Sequence, residues 1–149
     1  MIYLEIKENV QKNICEDKLK QAVLATLDHL DRNQNIALTL VITGNEQIQT
    51  LNRQYRDDDA PTDVLSFTSG HTDPETGKLY LGDVLISYPQ AKSQAKTRGH
   101  HVDDELQLLV VHGVLHLLDY DHLVPNEKEH MWDIQESILA KLDLDIDVS

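Results

Sequence analysis

Cysteine is almost absent: the chain of 149 residues has one, Cys15, so no internal disulfide can form and a reducing compartment suits it. Cys15 reads as an ordinary small residue. Long apolar runs are missing too, and none reaches membrane-spanning length. The opening stretch, Met1-Ile2-Tyr3-Leu4-Glu5-Ile6-Lys7, alternates and carries charge early, unlike a signal peptide, so a cytoplasmic location is expected. Basic side chains are scarce: 13 Lys and Arg stand against 26 Asp and Glu, a formal net charge of −13. That balance argues against broad, charge-driven nucleic-acid binding while leaving room for a local basic groove. The acidic residues bunch at Asp57–Asp59, Asp103–Glu105 and the tail from Asp143, and all three read as solvated surface. Repeats, low-complexity tracts and interdomain linkers are also missing. What is left is one domain, 1–149, with 40% hydrophobic residues and enough chain for a real core.

Periodicity supplies the elements. Ile2–Ile6 alternates as a strand, and Glu16–Leu30 places Leu19, Val23, Leu27 and Leu30 at helical spacing. Ile36–Thr43 is β-branched and reads as a strand. Thr43-Gly-Asn-Glu46 has capping-box spacing before a helix with Ile48, Leu51 and Tyr55 inward. Arg56–Pro61 is a polar turn, Val64–Phe67 a short strand, Thr68–Lys78 a loop or hairpin connection, and Leu79–Ser87 a fourth strand. Ser87-Tyr-Pro-Gln90 caps a polar surface helix to Arg98, with Pro89 in its first turn. Asp103–Leu118, apolar on nearly all sides from Leu106, is a buried central helix whose acidic first turn suits its positive end. Asn126-Glu-Lys-Glu129 caps a final helix bearing Met131, Ile134, Ile138 and Leu142. The order β-α-β-α-β-β-α-α-α implies an α/β (α+β) fold, a mixed four-stranded sheet packed by about five helices.

Three histidines fall within eleven residues, in His112-Gly-Val-Leu-His116-Leu-Leu-Asp-Tyr-Asp-His122. Residues four apart on a helix leave the same face one turn apart, so His112 and His116 can share one metal ion. His122 can fold back as a third ligand if the helix stops between. Three neutral nitrogens and one water make the open tetrahedral zinc site that does chemistry. A buried imidazole needs a partner for its nitrogens, and one metal ion serves two rings at once. His29, His71, His100, His101 and His130 lack the spacing, and of these only His100 and His101 draw interest. A zinc peptidase has glutamate directly after the first histidine. Here that position is Gly113, which turns the reading away from peptide hydrolysis. Glycine inside a helix costs about 1 kcal/mol relative to alanine, so Gly113 needs a packing or access reason.

The histidine run resembles the His-Gly-x-Leu-His-Leu-x-Gly-Tyr-Asp-His signature of the YbeY family of bacterial metal-dependent endoribonucleases and rRNA maturation factors. Asn52-Arg-Gln-Tyr-Arg56, Pro61-Thr-Asp-Val-Leu-Ser-Phe67 and Leu81-Gly-Asp83 match further family stretches, and the likeness spans roughly residues 36 to 142. It implies a zincin-like domain, one zinc ion held by His112, His116 and His122, and a requirement for Arg56 in activity. It also implies single-stranded RNA as substrate, chiefly the 3′ end of small-subunit rRNA, a related role in ribosome quality control, and the small ribosomal subunit and assembly GTPases as partners. Two departures are Asp119 in place of a family glycine and Thr68 in place of a proline.

The chemistry agrees with that implication. Phosphodiester cleavage builds charge on non-bridging oxygens, which an arginine can hold bidentately. Read alone, Arg56 is a surface arginine paired with a nearby aspartate. Lys92, Lys96 and Arg98 could line an RNA groove or a solvated helix face. Asp63 and Asp83 could orient a histidine or serve as turn residues. The rival readings are a metal-dependent hydrolase of another substrate and a non-catalytic ribosome-assembly factor with structural zinc.

Overall fold

The computed structural model describes residues 1–10, 14–32, 35–118 and 125–144, with backbone alone over 125–130. His122 and Asp119 lie outside the described residues, as does the end of the acidic tail. Four strands, β1 (Ile2–Ile6), β2 (Ile36–Thr43), β3 (Val64–Thr72) and β4 (Leu79–Ser87), form one mixed sheet in the order β1-β2-β4-β3. β1, β2 and β4 run parallel, while β3 pairs antiparallel with β4 at the edge. Five helices pack around them: α1 (Glu16–His29), α2 (Asn45–Arg56), α3 (Tyr88–Arg98), α4 (Val102–Leu117) and α5 (Pro125–Lys141). The α+β architecture expected from the periodicity is the one observed.

Strand alternation divides the core. Leu38, Leu40 and Ile42 of β2 with Val84 and Ile86 of β4 face α1, α4 and α5, in the larger cluster. Val41 and Leu85 point the other way and meet Ile48 of α2 and Leu65 of β3. β2 is therefore covered on both faces, which is why it reads as an almost unbroken apolar run. α4 touches β3, β4, α1, α3 and α5, and eleven of its sixteen residues are buried.

Packing supplies the reason for Gly113. A β-carbon there would stand 2.5 Å from Val84 Cγ1 and 3.3 Å from Val64 Cγ2. The missing side chain lets α4 lie directly on β3 and β4, and Ser66 Oγ fixes the approach by donating to the Gly113 carbonyl at 2.9 Å.

The local differences from the sequence reading have local causes. β3 continues through Thr72, and the hairpin turns at Asp73–Gly77, where the Gly77 N–H donates to the Asp73 carbonyl at 2.8 Å. α2 takes Gly44 as its N-cap without a side-chain cap, because Thr43 Oγ1 donates to Gln47 Oε1 at 2.6 Å instead. Tyr55 is exposed, not inward; it sits in the last turn of α2, where its ring makes an edge contact with Phe67. The Ser87 cap forms as expected, accepting from Gln90 N–H at 3.3 Å. α5 begins at Pro125, one residue before the expected cap at Asn126. Glu105 is not solvated surface. It is fully buried, and its carboxylate is met by Arg98 Nη1 at 2.8 and 3.1 Å and by His100 Nε2 at 2.7 Å. That cluster ties the end of α3 to the start of α4.

Candidate functional site

His112 and His116 are the half-buried positions on the inner length of α4, surrounded by residues that are buried. Their rings stand 4.6 Å apart between centroids and 70° apart in plane. The two Nε2 atoms converge to 3.0 Å. Two nitrogen ligands on one tetrahedral zinc-sized ion would be about 3.3 Å apart, from metal–nitrogen distances of about 2.0–2.1 Å. The pair thus has the direction and the spacing to share a divalent cation. Among the described residues no cluster of three ligating side chains occurs. The third candidate, His122, lies outside them.

Gln135 of α5 fixes the chemistry of the first ring. Its Oε1 lies 3.0 Å from His112 Nδ1, and an amide oxygen only accepts, so the Nδ1 proton stays there and Nε2 keeps its lone pair for the cleft. No spacing rule points to Gln135. It is a lone glutamine 23 residues along the chain, and only the packing of α5 on α4 reveals it.

Arg56 comes from the other side of the sheet's end. α2 terminates immediately after it at Asp57, in the left-handed region with φ 55°. The following loop is pinned by buried Asn52, whose Nδ2 donates to the Ala60 carbonyl at 2.9 Å. The exposed guanidinium donates through Nη2 to the Ser66 carbonyl at 3.4 Å. No ion pair to Arg56 occurs among the described residues, so the nearby-aspartate alternative is not the geometry adopted; the aspartate at 3.8 Å pairs with Arg53 instead, through Asp59. Arg56, Asp58, Asp63, Ser66, His112 and His116 line one cavity of about 440 Å³. Residues 60 positions apart in sequence therefore face a common space.

The remaining candidates separate. Asp63 lines the cavity and accepts from Gln94 Nε2 at 3.2 Å, while its carbonyl accepts from the Ser87 N–H at 2.9 Å. Gln135 is the residue that holds His112 Nδ1. Asp83 lies elsewhere, in a Thr39–Tyr80–Asp83 hydrogen-bonded chain at the bulge of β4. Burial, reinforced by the Asp83 carboxylate, pushes the Tyr80 phenol above its ordinary value. Lys92 and Lys96 are exposed on α3 and line neither the main cavity nor the smaller one beside it, whereas Arg98 lines the smaller one. His101 is the N-cap of α4, its Nδ1 accepting from the Asp103 N–H at 3.1 Å.

No helix among the described residues is long and apolar enough to cross a membrane. Comparison with known families matches residues 2–143 to the family described as Endoribonuclease YbeY. A protein of that name from Acetivibrio thermocellus is 36% identical over 155 residues, covering 93% of this chain and 96% of the relative. Another, from a Sulfurihydrogenibium species, is 42% identical over 137 residues, covering 91% of this chain and 89% of the relative. The solution structure of TM1509 from Thermotoga maritima shares the fold, with a TM-score of 0.63 at 22% identity over 95% of this chain and 89% of that one. Matched over nearly its whole length, the chain belongs to the Endoribonuclease YbeY family.

Proposed function

We propose that residues 1–149 act as one metal-dependent endoribonuclease domain that cuts single-stranded RNA in the cytoplasm. One zinc ion would be held by His112, His116 and His122, and Arg56 would serve as the catalytic cation. The maturing 3′ end of small-subunit rRNA would be the main substrate and ribosome quality control a related task, with the small subunit and assembly GTPases as partners. The observation that carries the reading is one cavity lined by Arg56 and by two histidines whose Nε2 atoms converge. The relatives' name, Endoribonuclease YbeY, supports the reaction class.

A bound zinc ion supplies Lewis acidity toward a phosphoryl oxygen and lowers the pKa of water. The chain does the rest. Arg56 holds a non-bridging oxygen and offsets the charge that builds there, in a fork that lysine lacks. The Ser66 carbonyl holds that guanidinium over the cavity. Gln135 keeps His112 in the tautomer whose Nε2 faces inward.

Zinc-loaded protein offered single-stranded RNA, duplex RNA, a peptide and a small phosphoester is expected to cut the first, and to stop on chelation while its circular dichroism persists. Cleavage confined to another substrate would transfer the site to a different hydrolase. Unfolding on chelation in a protein that cuts nothing would mark the metal as structural.

Gln135→Leu keeps the volume and removes the acceptor on His112. Zinc affinity, read by competition with a chromogenic chelator, should fall about 10- to 100-fold. Gln135→Glu should restore it, since a carboxylate accepts the same Nδ1 proton.

A further inference from the structure

A second, smaller cavity of about 160 Å³ adjoins the first, and His112 and Asp63 line both. Its apolar floor is Leu108 and Leu109 of α4. Trp132 of α5 forms a wall, 40% exposed, and it is the only tryptophan of the chain. It stands three residues before Gln135, on the same helix face. Asp63 and Arg98 contribute polar edges.

The charges there do not suit a phosphate. Arg98 faces buried Glu105 at 2.8 Å, so its positive charge is matched inside the protein. The Asp63 carboxylate accepts from Gln94 Nε2 at 3.2 Å and Thr62 Oγ1 at 3.4 Å but has no cationic partner among the described residues, so it keeps its negative charge at this cavity and repels an anion. What fits is a flat, neutral ring. It would lie against Trp132 and two leucines, and an amine on its edge would donate to the carboxylate. Base stacking on an aromatic side chain and an acidic group accepting from an exocyclic amine are ordinary modes of nucleobase recognition.

We propose that this cavity seats the base of the nucleotide adjacent to the phosphodiester held at the histidine pair. An amine-bearing base, cytosine above all in a space this small, is favoured over uracil. The proposal rests on the RNA reading above and gives that site a sequence preference.

Trp132 makes the test direct, because all tryptophan fluorescence comes from the cavity wall. Zinc-loaded protein is titrated with 2′-O-methyl trinucleotides of cytidine, of uridine, and of an abasic ribose-phosphate backbone. Cytidine should quench the emission and bind at least about fivefold more tightly than uridine, with the abasic chain leaving the emission unchanged. Trp132→Leu, which lacks the fluorophore and is read by titration calorimetry instead, should weaken cytidine binding on the order of tenfold and leave abasic binding unaltered. Asp63→Asn should turn the preference toward uridine, whose O4 accepts from the amide. If that variant fails to fold, the wild-type comparison decides alone. Equal quenching by all three ligands, absent quenching, or an unchanged Trp132→Leu overturns the base cavity. Cytidine-selective quenching in a protein that cuts no RNA would keep the cavity and overturn the cleavage reading; RNA cutting without quenching does the reverse.

Discussion

His116→Ala is expected to remove metal and RNA cleavage together while the fold survives. The ring is half-buried at the cavity, and its Nε2 is one of the two atoms that meet at 3.0 Å. Losing a partner that merely orients a ligand costs about 10- to 100-fold in metal affinity, so loss of the ligand itself should exceed 100-fold. Arg56→Ala separates the two properties. Its guanidinium contacts the Ser66 carbonyl and no histidine, so metal content should stay at the wild-type level. Cleavage should fall by about 100-fold or more, the usual penalty for removing one preorganised group that stabilises transition-state charge. Metal analysis by mass spectrometry, circular dichroism and a single-turnover RNA assay on the two variants read all three quantities. A His116→Ala protein that retains stoichiometric zinc, or an Arg56→Ala protein that cuts at the normal rate, would remove the respective assignment.

The largest loss of stability is expected at Gly82. Its φ is +140°, a region essentially reserved for glycine, and a β-carbon there would stand 2.0 Å from the Phe67 carbonyl oxygen and 3.1 Å from Leu117 Cδ2. The obstacle is backbone in the neighbouring strand, which cannot swing aside without opening the β3–β4 ladder. Gly82 sits at the bulge, where β4 spends an extra residue against β2 between Tyr80 and Asp83. Gly82→Ala should cost about 3 kcal/mol or more, lowering the thermal midpoint by roughly 10 °C in a chain of this length. Gly77→Ala is the control. Its φ is also positive, +72°, but nothing lies within 4 Å of a β-carbon there, so it carries the conformational cost without the collision. Equal losses in calorimetry would show that the contact with Phe67 contributes nothing. The damage should also reach the cavity, because Ser66, next to Phe67, holds both Arg56 and the Gly113 carbonyl.

The elements legible in the sequence were those whose burial follows a simple period. β2 and β4 begin and end where their apolar runs do, and α4 carries its two half-buried histidines four residues apart as expected. The outer half of β3 was not legible. Thr68–Thr72 is exposed and contains a glycine, so composition marks it as loop, yet its pairing to Gly82, Tyr80 and Leu79 keeps it extended. Glu105 was hidden by its acidic neighbours; Arg98 and His100, seven and five residues earlier, were the available signal. Gln135 and Trp132 carry no spacing signature: Gln135 meets His112 of α4, and Trp132 shares a cavity with Leu108 and Leu109, only because α5 docks there. Of the proposed metal ligands, His112 and His116 line the cavity together, and His122 lies outside the described residues.

α4 is covered by sheet and helices along most of its length. Amide exchange in such a segment proceeds through the rarest, most global openings, while edge strands and chain ends breathe freely at little cost. Both imidazoles are thus mounted on the part of the molecule that lets go last. Fraying at the periphery, thermal or denaturant-induced, leaves their mutual alignment standing until cooperative collapse of the whole.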